Sequence, residues 1–335
     1  MGSKEITKNR MRNSQMKATV VIPNYNGIRY LKDCLDALRG QSSQDFNVLV
    51  VDNGSTDGSY ELLAEYPEVK KLRFEENKGF CQAVNAGIKT AESEYVILLN
   101  NDTQVRSDFV KSLVSAMEQD PKIFSVSAKM LNMQKPELMD DAGDLYCALG
   151  WAFARGKGKP AGDYTARCSV FAACGGAAIY RKSVFDEIGL FDEKHFAYLE
   201  DLDIGYRARI HGYRNLYEPQ AEVLHAGSGV SGSRYNTFKV NLSSANSVYV
   251  IGKNMPLLQI LINLPFLFAG FAIKILFFLL KGLGITYIKG LGRGLALCFS
   301  KEGRRRRVKF AWKHLGNYFL IQIELWWNIL LRFIG

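Results

Sequence analysis

The stretches that decide the fold are residues 19–27, Thr-Val-Val-Ile-Pro-Asn-Tyr-Asn-Gly, and residues 46–58, Phe-Asn-Val-Leu-Val-Val-Asp-Asn-Gly-Ser-Thr-Asp-Gly. Each begins with a short apolar run, typical of a buried β-strand, and ends in a polar loop that contains glycine. Between them, residues 30–38 carry leucines at helical spacing. A strand, a helix and a second strand predict a βαβ unit, and therefore parallel strand pairing.

The alternation of strand and helix continues as far as residue 99. It predicts a short helix at 59–66, a third strand at 71–74, a helix at 79–89 and a fourth strand at 95–99. Strands separated by short helices are typical of an open parallel sheet. We therefore predict an α/β fold with a Rossmann-like, mostly parallel central sheet.

Polar loops follow the first, second and fourth predicted strands, at residues 24–27, 52–58 and 100–102. Ligands of parallel α/β sheets bind beyond the carboxyl ends of the strands. Asn, Asp and Gly also favour turns, so each loop alone has a purely structural explanation. Three such loops at one edge favour a binding site.

The glycine patterns of common nucleotide sites are absent from the sequence. Neither a G-x-x-x-x-G-K-[ST] loop nor a G-x-G-x-x-G turn occurs, which argues against a P-loop enzyme and a dinucleotide site. The basic loop 156–159 is best explained as a solvated turn. Asp52, after the second strand, suits a base or ribose, whereas Asp102, after the fourth, suits a hard divalent cation.

Three acids, Glu200, Asp201 and Asp203, precede a predicted helix at 204–211 that ends at Gly212. Acids near a helix N-terminus gain about 0.3–1 kcal/mol from the macrodipole, which is a sufficient structural explanation. The same dipole keeps an acid ionised, and an ionised acid can act as a general base. Asp203 and Arg207 stand at i and i+4, which predicts an ion pair on the helix.

These motifs, taken in order, resemble glycosyltransferase family 2 over roughly residues 18–230. The resemblance rests on residues 19–27, 51–58, 77–80 (Asn-Lys-Gly-Phe), 98–103 (Leu-Leu-Asn-Asn-Asp-Thr), 174–176 (Cys-Gly-Gly), 185–192 (Phe-Asp-Glu-Ile-Gly-Leu-Phe-Asp) and 198–203 (Tyr-Leu-Glu-Asp-Leu-Asp). It implies a GT-A fold, a nucleotide-diphosphate sugar as donor, Mg2+ or Mn2+ as cofactor, and inverting transfer by direct displacement.

The resemblance also implies roles for individual residues. Donor-binding positions are Pro23, Tyr25, Asn26, Asp52, Asn53, Asp57, Asn77, Lys78, Gly79, Asn101 and Asp102. Asp201 matches the general base, and Glu200 is a second catalytic candidate at the acceptor. Asp102 and His225 are the implied metal ligands, although a strand-end histidine has an equally good structural explanation. Many relatives carry an acid where this chain has Asn100, so one metal-binding carboxylate is missing.

Charge and hydrophobicity separate the end of the 335-residue chain from its body. The formal net charge is +10, and residues 241–335 alone hold 13 basic and 2 acidic residues. Residues 256–273 carry no charge, and a polybasic cluster follows at 304–307. Basic and apolar residues together indicate a membrane surface rather than nucleic acid. A helix spanning the membrane at 256–280, helices lying in the interface and helices packed on the catalytic domain all remain open, and the second is favoured.

We therefore expect a polar basic segment at 1–17, a GT-A catalytic domain at 18–240 and a helical membrane-associating region at 241–335. A glycine-rich stretch at 227–233 is a candidate lid over the donor. Lys-Asn-Met-Pro at 253–256 and the basic tail resemble bacterial rhamnosyltransferases of polysaccharide biosynthesis, which implies dTDP-rhamnose or a UDP-sugar as donor.

The expected partners are that donor, a lipid-linked glycan acceptor and an anionic membrane, with no nucleic acid; homo-oligomerisation stays open. No secretory signal pattern occurs in the first 17 residues, so we expect a peripheral or monotopic protein on the cytoplasmic face of the cell membrane. The alternative functions are a nucleotidyltransferase or another nucleotide-binding α/β enzyme, and a catalytically impaired membrane adaptor.

Overall fold

A computed structural model describes residues 16–227 and 235–334. The predicted basic segment, apart from residues 16 and 17, and the predicted lid, apart from residue 227, lie outside these ranges. The strands are β1 (Ala18–Asn24), β2 (Phe46–Asn53), β3 (Lys70–Phe74), β4 (Tyr95–Leu99), β5 (Thr103–Val105), β6 (Ile123–Asn132), β7 (Met139–Asp141), β8 (Asp144–Cys147), β9 (Trp151–Ala154), β10 (Cys168–Val170), β11 (Ala177–Arg181) and β12 (Arg214–His225).

The helices complete the described chain and dominate its final third. They are α1 (Ile28–Arg39), α2 (Ser59–Leu62), α3 (Phe80–Thr90), α4 (Phe109–Met117), α5 (Val184–Ile188), α6 (Glu200–Ile210), α7 (Thr237–Asn254), α8 (Leu257–Leu280), α9 (Gly284–Phe299), α10 (Lys301–Arg306) and α11 (Leu315–Ile334). The predicted strands and helices of the first hundred residues are confirmed, with ends that differ by a few residues.

The central sheet has the order β10-β12-β6-β11-β4-β1-β2-β3. Strands β3, β2, β1 and β4 are mutually parallel, whereas β11 is antiparallel to both of its neighbours. On this path only β10 and β11 run against the rest, so the prediction of a mostly parallel sheet is confirmed. Because β2, β1 and β4 are adjacent, the loops at their carboxyl ends lie side by side.

Helices cover both faces of the sheet, which explains why its central strands are apolar throughout. Val20 and Ile22 of β1 belong to the same buried cluster as Leu31 of α1. Val21, which points to the opposite face, clusters with Val84 of α3. Burial on both sides produces continuous apolar runs in place of an alternating pattern.

The helix that carries the acid cluster begins earlier than predicted. α6 starts at Glu200, four residues before the predicted start, so all three acids lie in its first turn. The preceding Leu199 has a left-handed backbone, with φ at 65°, which turns the chain sharply into the helix. Gly212, with φ at 85°, follows the helix end as predicted.

The C-terminal helices pack against the preceding part of the protein through a small antiparallel hairpin, β8–β9. The Trp151 indole of β9 donates a hydrogen bond to the Gly270 carbonyl of α8 at 3.0 Å. Asn328 of α11 donates to the Tyr146 carbonyl of β8 at 2.9 Å. At Gly270 a side chain would collide with the backbone of Leu149, so the close approach of α8 requires glycine there. The hairpin therefore joins the C-terminal helices to the rest of the protein.

Candidate active site

Asn24, at the end of β1, connects the three predicted loops. Its Nδ2 donates to Asp52 Oδ1 at 3.0 Å and to Ser59 Oγ at 2.9 Å. Its Oδ1 accepts a hydrogen bond of 2.7 Å from Asn101 Nδ2. Sequence reasoning missed Asn24, although a polar residue ending a buried strand beside two polar loops was the available signal. The structure thus brings the loops after β1, β2 and β4 together.

Asp52 is fully buried between the first two loops. Besides Asn24, the backbone N–H of Ser55 donates to its Oδ2 at 3.2 Å, and Arg73 Nε lies 3.5 Å from the same oxygen. The carboxylate therefore organises the loops from inside. An open cleft of about 420 Å³ lies beside it and is lined by Gly54, Ser55, Thr56, Arg73, Phe74 and Glu75.

The predicted segment 77–79 is attached to the end of β2 through Asn53. The Asn53 amide donates to Asn77 Oδ1 at 3.0 Å and accepts from the Lys78 N–H at 2.9 Å. Gly79 has φ at 87°, and a Cβ there would lie 2.6 Å from the Phe196 ring, so glycine is required. Asn77 and Lys78 are exposed and available to a ligand.

The remaining predicted donor residues divide into exposed and structural positions. Tyr25 is 38% exposed and directly follows Asn24, the last residue of β1, whereas Pro23 lies within the strand and is half-buried. Asn26, with φ at 50°, accepts a hydrogen bond from the Thr56 N–H at 2.9 Å and so joins the first two loops. Asn26 therefore shapes the edge, whereas the Tyr25 side chain is exposed beside it.

Asp57 also holds the loops together. Its carboxylate accepts from the Ile28 N–H at 2.9 Å, at the start of α1, and from the Ser59 N–H at 3.0 Å. Partial burial opposes ionisation, but the hydrogen bonds from Ser59 and Ile28 outweigh it and lower the pKa of Asp57. The charge caps the N-terminus of α1 from a neighbouring loop.

The two predicted metal ligands face each other. His225 Nε2, at the end of β12, lies 3.3 Å from Asp102 Oδ1, and its Nδ1 lies 2.7 Å from Asp140 Oδ2. Lys157 Nζ contacts the other oxygen of Asp140 at 2.6 Å. The prediction of a solvated turn for the loop that carries Lys157 is therefore incomplete, since Lys157 belongs to this cluster. Sequence reasoning also missed Asp140.

The charges in this cluster shift the protonation of its members. Burial disfavours a charged His225, but its hydrogen bonds to Asp102 and Asp140 raise its pKa to about 9. Burial works against an ionised Asp140 as well, yet His225 and Lys157 lower its pKa to about 2. Without a metal, His225 itself supplies positive charge between two carboxylates.

The donor atoms of Asp102 and His225 fit a divalent cation. A metal-binding histidine commonly gives its second nitrogen to a carboxylate, which is the relation of His225 Nδ1 to Asp140. One carboxylate and one imidazole suit Mn2+ and accept Mg2+. Beside them stands Asn100, where the family resemblance implies an acid, and its backbone N–H donates to the Gly176 carbonyl at 2.8 Å.

A second group of possible metal ligands was not predicted. Ligand atoms of Asp141, Asp144 and Cys174 all lie within 4.8 Å of one another. Burial, together with the charge of the neighbouring Asp140, raises the pKa of Asp141 to about 7. The signal in the sequence was Asp-Asp-Ala-Gly-Asp at 140–144. The charge of Asp201 raises the pKa of both Asp141 and Asp144, so this group lies in the same region as the predicted base.

Asp201, the predicted base, is held by two backbone N–H groups. Leu202 donates to its Oδ1 at 2.8 Å and Gly175 donates to its Oδ2 at 3.3 Å. The carbonyl of the next residue, Gly176, accepts a hydrogen bond from the backbone N–H of Asn100, which directly follows β4. The loop 174–176 therefore links the proposed base to the loop that carries Asp102.

The environment of the acid pair differs from the expectation that a helix dipole keeps it ionised. Burial raises the pKa of Asp201 despite its two backbone hydrogen bonds. Burial, and then the Asp201 charge, also raises the pKa of Glu200. Within the described residues, the buried Oε2 of Glu200 has no hydrogen-bond partner. Desolvation exceeds the helix dipole because both carboxyl groups are buried and the loop 174–176 contacts the helix N-terminus.

Behind the acid pair, Asp203 anchors α6 to the C-terminal helices. Its Oδ2 accepts from Arg207 at 2.8 Å, the predicted pair, and from Lys253 of α7 at 2.8 Å. Its Oδ1 accepts from Asn254 at 2.8 Å, and Lys253 also bonds Asp192 at 2.7 Å. Burial opposes ionisation, but Arg207 and Lys253 hold the pKa of Asp203 far below its usual range. The sequence did not predict that Lys253 and Asn254 of α7 would bind Asp203.

Comparison with known proteins identifies the class. The family described as Glycosyl transferase family 2 matches residues 19–189, about half of the chain. This chain belongs to glycosyltransferase family 2 and is a glycosyltransferase, as its motif order predicted.

Named relatives lie within the same class. A Mycobacterium tuberculosis protein named N-acetylglucosaminyl-diphospho-decaprenol L-rhamnosyltransferase is 28% identical over 240 residues, which are 62% of this chain and 75% of that protein. A Staphylococcus aureus poly-beta-1,6-N-acetyl-D-glucosamine synthase is 26% identical over 207 residues, 61% of this chain and 48% of that protein. The chain thus spans about half of the second relative.

Solved structures confirm the predicted GT-A fold. S. aureus TarS 1–349 in complex with UDP-GlcNAc aligns with a TM-score of 0.58 and 18% identity, covering 87% of this chain and 84% of that one. The mannosyltransferase PcManGT from Pyrobaculum calidifontis, in complex with GDP-Man and Mn2+, aligns with a TM-score of 0.52 and 17% identity, covering 94% and 88%.

Proposed function

We propose that this glycosyltransferase is an inverting enzyme of cell-surface polysaccharide biosynthesis. It transfers a sugar from a nucleotide-diphosphate donor, dTDP-rhamnose or a UDP-sugar, to a hydroxyl of a lipid-linked glycan. The observation that carries the proposal is the loop 174–176, which connects Asp201 to the loop that carries Asp102. A base and a leaving-group site held in a fixed relation to each other are what direct displacement requires.

The donor is assigned to the edge formed by the loops after β1, β2 and β4. Tyr25, Asn77 and Lys78 are among the exposed residues there, and Asp52, Asn53 and Asp57 hold the loops in place. The name of the mycobacterial relative supports a rhamnosyl donor, whereas TarS was solved with a UDP-sugar.

Asp102 and His225 would hold Mg2+ or Mn2+, with Asp140 orienting the imidazole. When bound, the cation supplies positive charge for the departing diphosphate. Asn101 supports the position through its hydrogen bond to Asn24. Lys157 adds a fixed positive charge beside Asp140 whether or not a cation is bound.

Asp201 accepts the proton of the acceptor hydroxyl. As that proton moves to the carboxylate, the acceptor oxygen bonds to the anomeric carbon, and the bond from that carbon to the diphosphate oxygen breaks. Attack from the face opposite the leaving group inverts the anomeric configuration. The raised pKa of Asp201 makes it a stronger base, and the N–H groups of Leu202 and Gly175 fix its direction. Glu200, with an unpartnered buried oxygen, is assigned to an acceptor hydroxyl.

Residues 18–240 are proposed as the catalytic domain and 241–335 as the membrane-associating region, preceded by the basic segment 1–17. By length and composition alone, α8 is the single helix among the described residues that could cross a membrane. It buries Gln259 and Asn263 against the protein and exposes Phe268 by 78% and Leu280 by 80%. Exposed apolar surface of this extent favours contact with lipid.

Contacts along α8 favour a helix that lies on the membrane over one that crosses it. Tyr206 of α6 donates to Gln259 at 2.7 Å, and Trp151 of β9 bonds Gly270 at 3.0 Å. These two contacts are separated by three helical turns and both belong to the catalytic side, so α8 follows the domain along its length. The proposal is a peripheral or monotopic enzyme at the cytoplasmic face of the cell membrane, with the exposed Arg304, Arg305 and Arg307 directed to anionic lipid. Arg306, the fourth residue of the predicted cluster, is instead paired with Asp192 and Glu302 at 3.0 Å each.

A transfer assay tests the proposal. The protein, in vesicles that hold N-acetylglucosaminyl-diphospho-polyprenol, is incubated with a panel of UDP-, dTDP- and GDP-sugars, with Mn2+, Mg2+ or a chelator. We expect consumption of one sugar nucleotide, a glycosylated lipid with inverted anomeric configuration by NMR, and loss of product with the chelator. Pyrophosphate release without sugar transfer would support a nucleotidyltransferase, and donor binding without turnover would support the impaired adaptor.

A further inference from the structure

Two basic residues of the C-terminal helices converge on the outer face of the β8–β9 hairpin. Lys274, the one charged residue of α8, has its Nζ 5.6 Å from the centroid of the Trp151 ring. Arg332, near the end of α11, has its Cζ 5.5 Å from the centroid of the Phe153 ring. Trp151 and Phe153 are alternate residues of β9 and therefore point to the same face.

Neither cation has an acidic partner in the described part of the chain. α8 contains no carboxylate, and the one acid of α11, Glu324, is already paired with Arg209. Lys274 and Arg332 also lie within electrostatic reach of one another. Two like charges without a counter-ion are costly where water is scarce, so a site of this kind is completed by an anion.

The surroundings of the pair are apolar and exposed. Next to Arg332, Phe333 is 68% exposed and Ile334 is 82% exposed, and Ile273, adjacent to Lys274, is 50% exposed. The cations therefore lie at the margin of the surface that is proposed to contact lipid. An anion that reaches this place from the membrane side is the head of a lipid and not a soluble metabolite.

The same hairpin connects this place to the catalytic side. Cys147 of β8 pairs with Trp151, whereas Asp144, at the other end of β8, belongs to the group that contains Cys174. The residue after Cys174 donates to Asp201. Asp144 and Cys147 are three residues apart along the strand, about 10 Å at 3.3 Å per residue.

We propose that Lys274 and Arg332 bind the diphosphate of the lipid-linked acceptor, against the rings of Trp151 and Phe153. This inference rests on the proposed function, because it takes the acceptor to be a glycan on a lipid diphosphate. Ammonium and guanidinium groups together match the several oxygens and double charge of a diphosphate. The hairpin then sets the distance between the membrane and the hydroxyl that is glycosylated.

The test compares a double variant with a matched control in the full-length protein. Lys274→Gln with Arg332→Gln removes the proposed site. Lys281→Gln with Lys289→Gln removes the same charge from exposed positions beside α8 and on α9. Binding is measured to phosphatidylcholine vesicles, to the same vesicles with phosphatidylglycerol, to the same vesicles with polyprenyl diphosphate, and to free pyrophosphate in detergent. Circular dichroism and thermal unfolding establish that both variants fold.

We expect the site variant to lose at least about 10-fold in affinity for polyprenyl diphosphate vesicles. The control should stay within about twofold of the unchanged protein, and the two variants should bind phosphatidylglycerol vesicles alike. Equal losses in site variant and control would overturn the proposal. So would binding of free pyrophosphate that is as tight as binding of the lipid and is lost in the site variant, because the site would then serve a soluble anion.

Kinetics separate this site from the proposed function. The site variant should raise KM for the lipid-linked acceptor with little change in kcat or in KM for the donor, and leave transfer to a short soluble glycoside unaffected. A fall in kcat with both acceptors and no change in KM would contradict an acceptor-binding role. If the unchanged protein transfers no sugar to any acceptor, the proposed function fails, whereas vesicle binding still decides whether the diphosphate site exists.

Discussion

The central sheet and the helices α8 and α11 differ in the side chains that they bury and in those that they expose. In the sheet, Val20 and Ile97 have no exposed surface. In α8, the buried positions include the amides Gln259 and Asn263, whereas Phe268 is 78% exposed. This difference supports the proposal that α8 and α11, unlike the sheet, contact a lipid surface.

The physical reason lies in what drives association in each solvent. In water, removing apolar surface favours folding, so the sheet collects valine, isoleucine and leucine. Lipid offers no such gain, and helices there associate through close packing and hydrogen bonds. Asn263 of α8 and Gln322 of α11 exchange two amide hydrogen bonds of 2.8 Å, and Trp326 adds a third to Asn263. Buried amides therefore help to hold α8 against α11, together with buried apolar residues such as Leu267 and Leu325, while other apolar side chains face outward.

The largest expected effect tests whether catalysis depends on the sheet region alone. Asp201→Asn removes the proposed base and should reduce kcat about 10³-fold, within the range for general base catalysis. Donor affinity and vesicle binding should be unchanged, since neither involves this carboxylate. Steady-state kinetics, donor titration and vesicle flotation measure the three quantities, with Asp163→Asn on an exposed turn as control. Undiminished transfer by Asp201→Asn would remove Asp201 from the mechanism.

The next effect concerns the junction of the two regions. Asp203→Asn leaves Lys253 and Arg207 with one carboxylate fewer in a buried network, so the free energy of unfolding should fall by about 3 kcal/mol. Urea unfolding in detergent measures the loss, and Asp186→Asn on the exposed side of α5 is the control. A loss below that of the control would show that the network does not join the regions.

The same carboxylate predicts a pH dependence. The pKa of Asp203 is lowered in the folded protein, so its contribution is complete above the unfolded pKa of about 4 and is lost as pH falls below it. The free energy of unfolding should therefore decrease below about pH 4, and Asp203→Asn should show a shallower decrease. Parallel curves for the two proteins would contradict this assignment.

A smaller effect is expected for the outward face of α8. Phe268→Glu should weaken partition to vesicles about 30-fold, because it removes about 2 kcal/mol of apolar burial in lipid. Phe268 is exposed and does not pack in the core, so the free energy of unfolding in detergent should change little. Phe268→Leu is the control and should retain most of the partition. Equal partition of the Glu and Leu variants would mean that this face does not enter lipid.

The smallest effect concerns the polybasic cluster. Arg305→Gln should weaken binding to anionic vesicles about 5-fold, from about 1 kcal/mol per basic residue, with no change on zwitterionic vesicles. The difference should shrink at high salt, because surface charge is screened. Lys111→Gln, at an exposed position of α4, is the control. An equal loss of vesicle binding in the control variant would show that the cluster acts only through the net charge of the protein.

The sequence alone determined the fold class, because the period of apolar residues reports strand and helix directly. The first four strands, the family and the glycosyltransferase class followed from local runs and from motif order along residues 18–230. Membrane contact was also inferred locally, from composition, and stays a proposal. Local patterns carry this much because secondary structure depends on neighbours within a few residues.

Only the tertiary structure decided which polar residues meet. Asn24 connects three loops, Asp140 holds His225, and Lys253 reaches Asp203 from a helix about fifty residues away in sequence. The burial that raises the pKa of Asp201 and the approach of Lys274 to Trp151 were likewise invisible in the chain. These relations join residues distant in sequence, and hydrogen bonding, desolvation and charge depend on distance in space, which only packing sets.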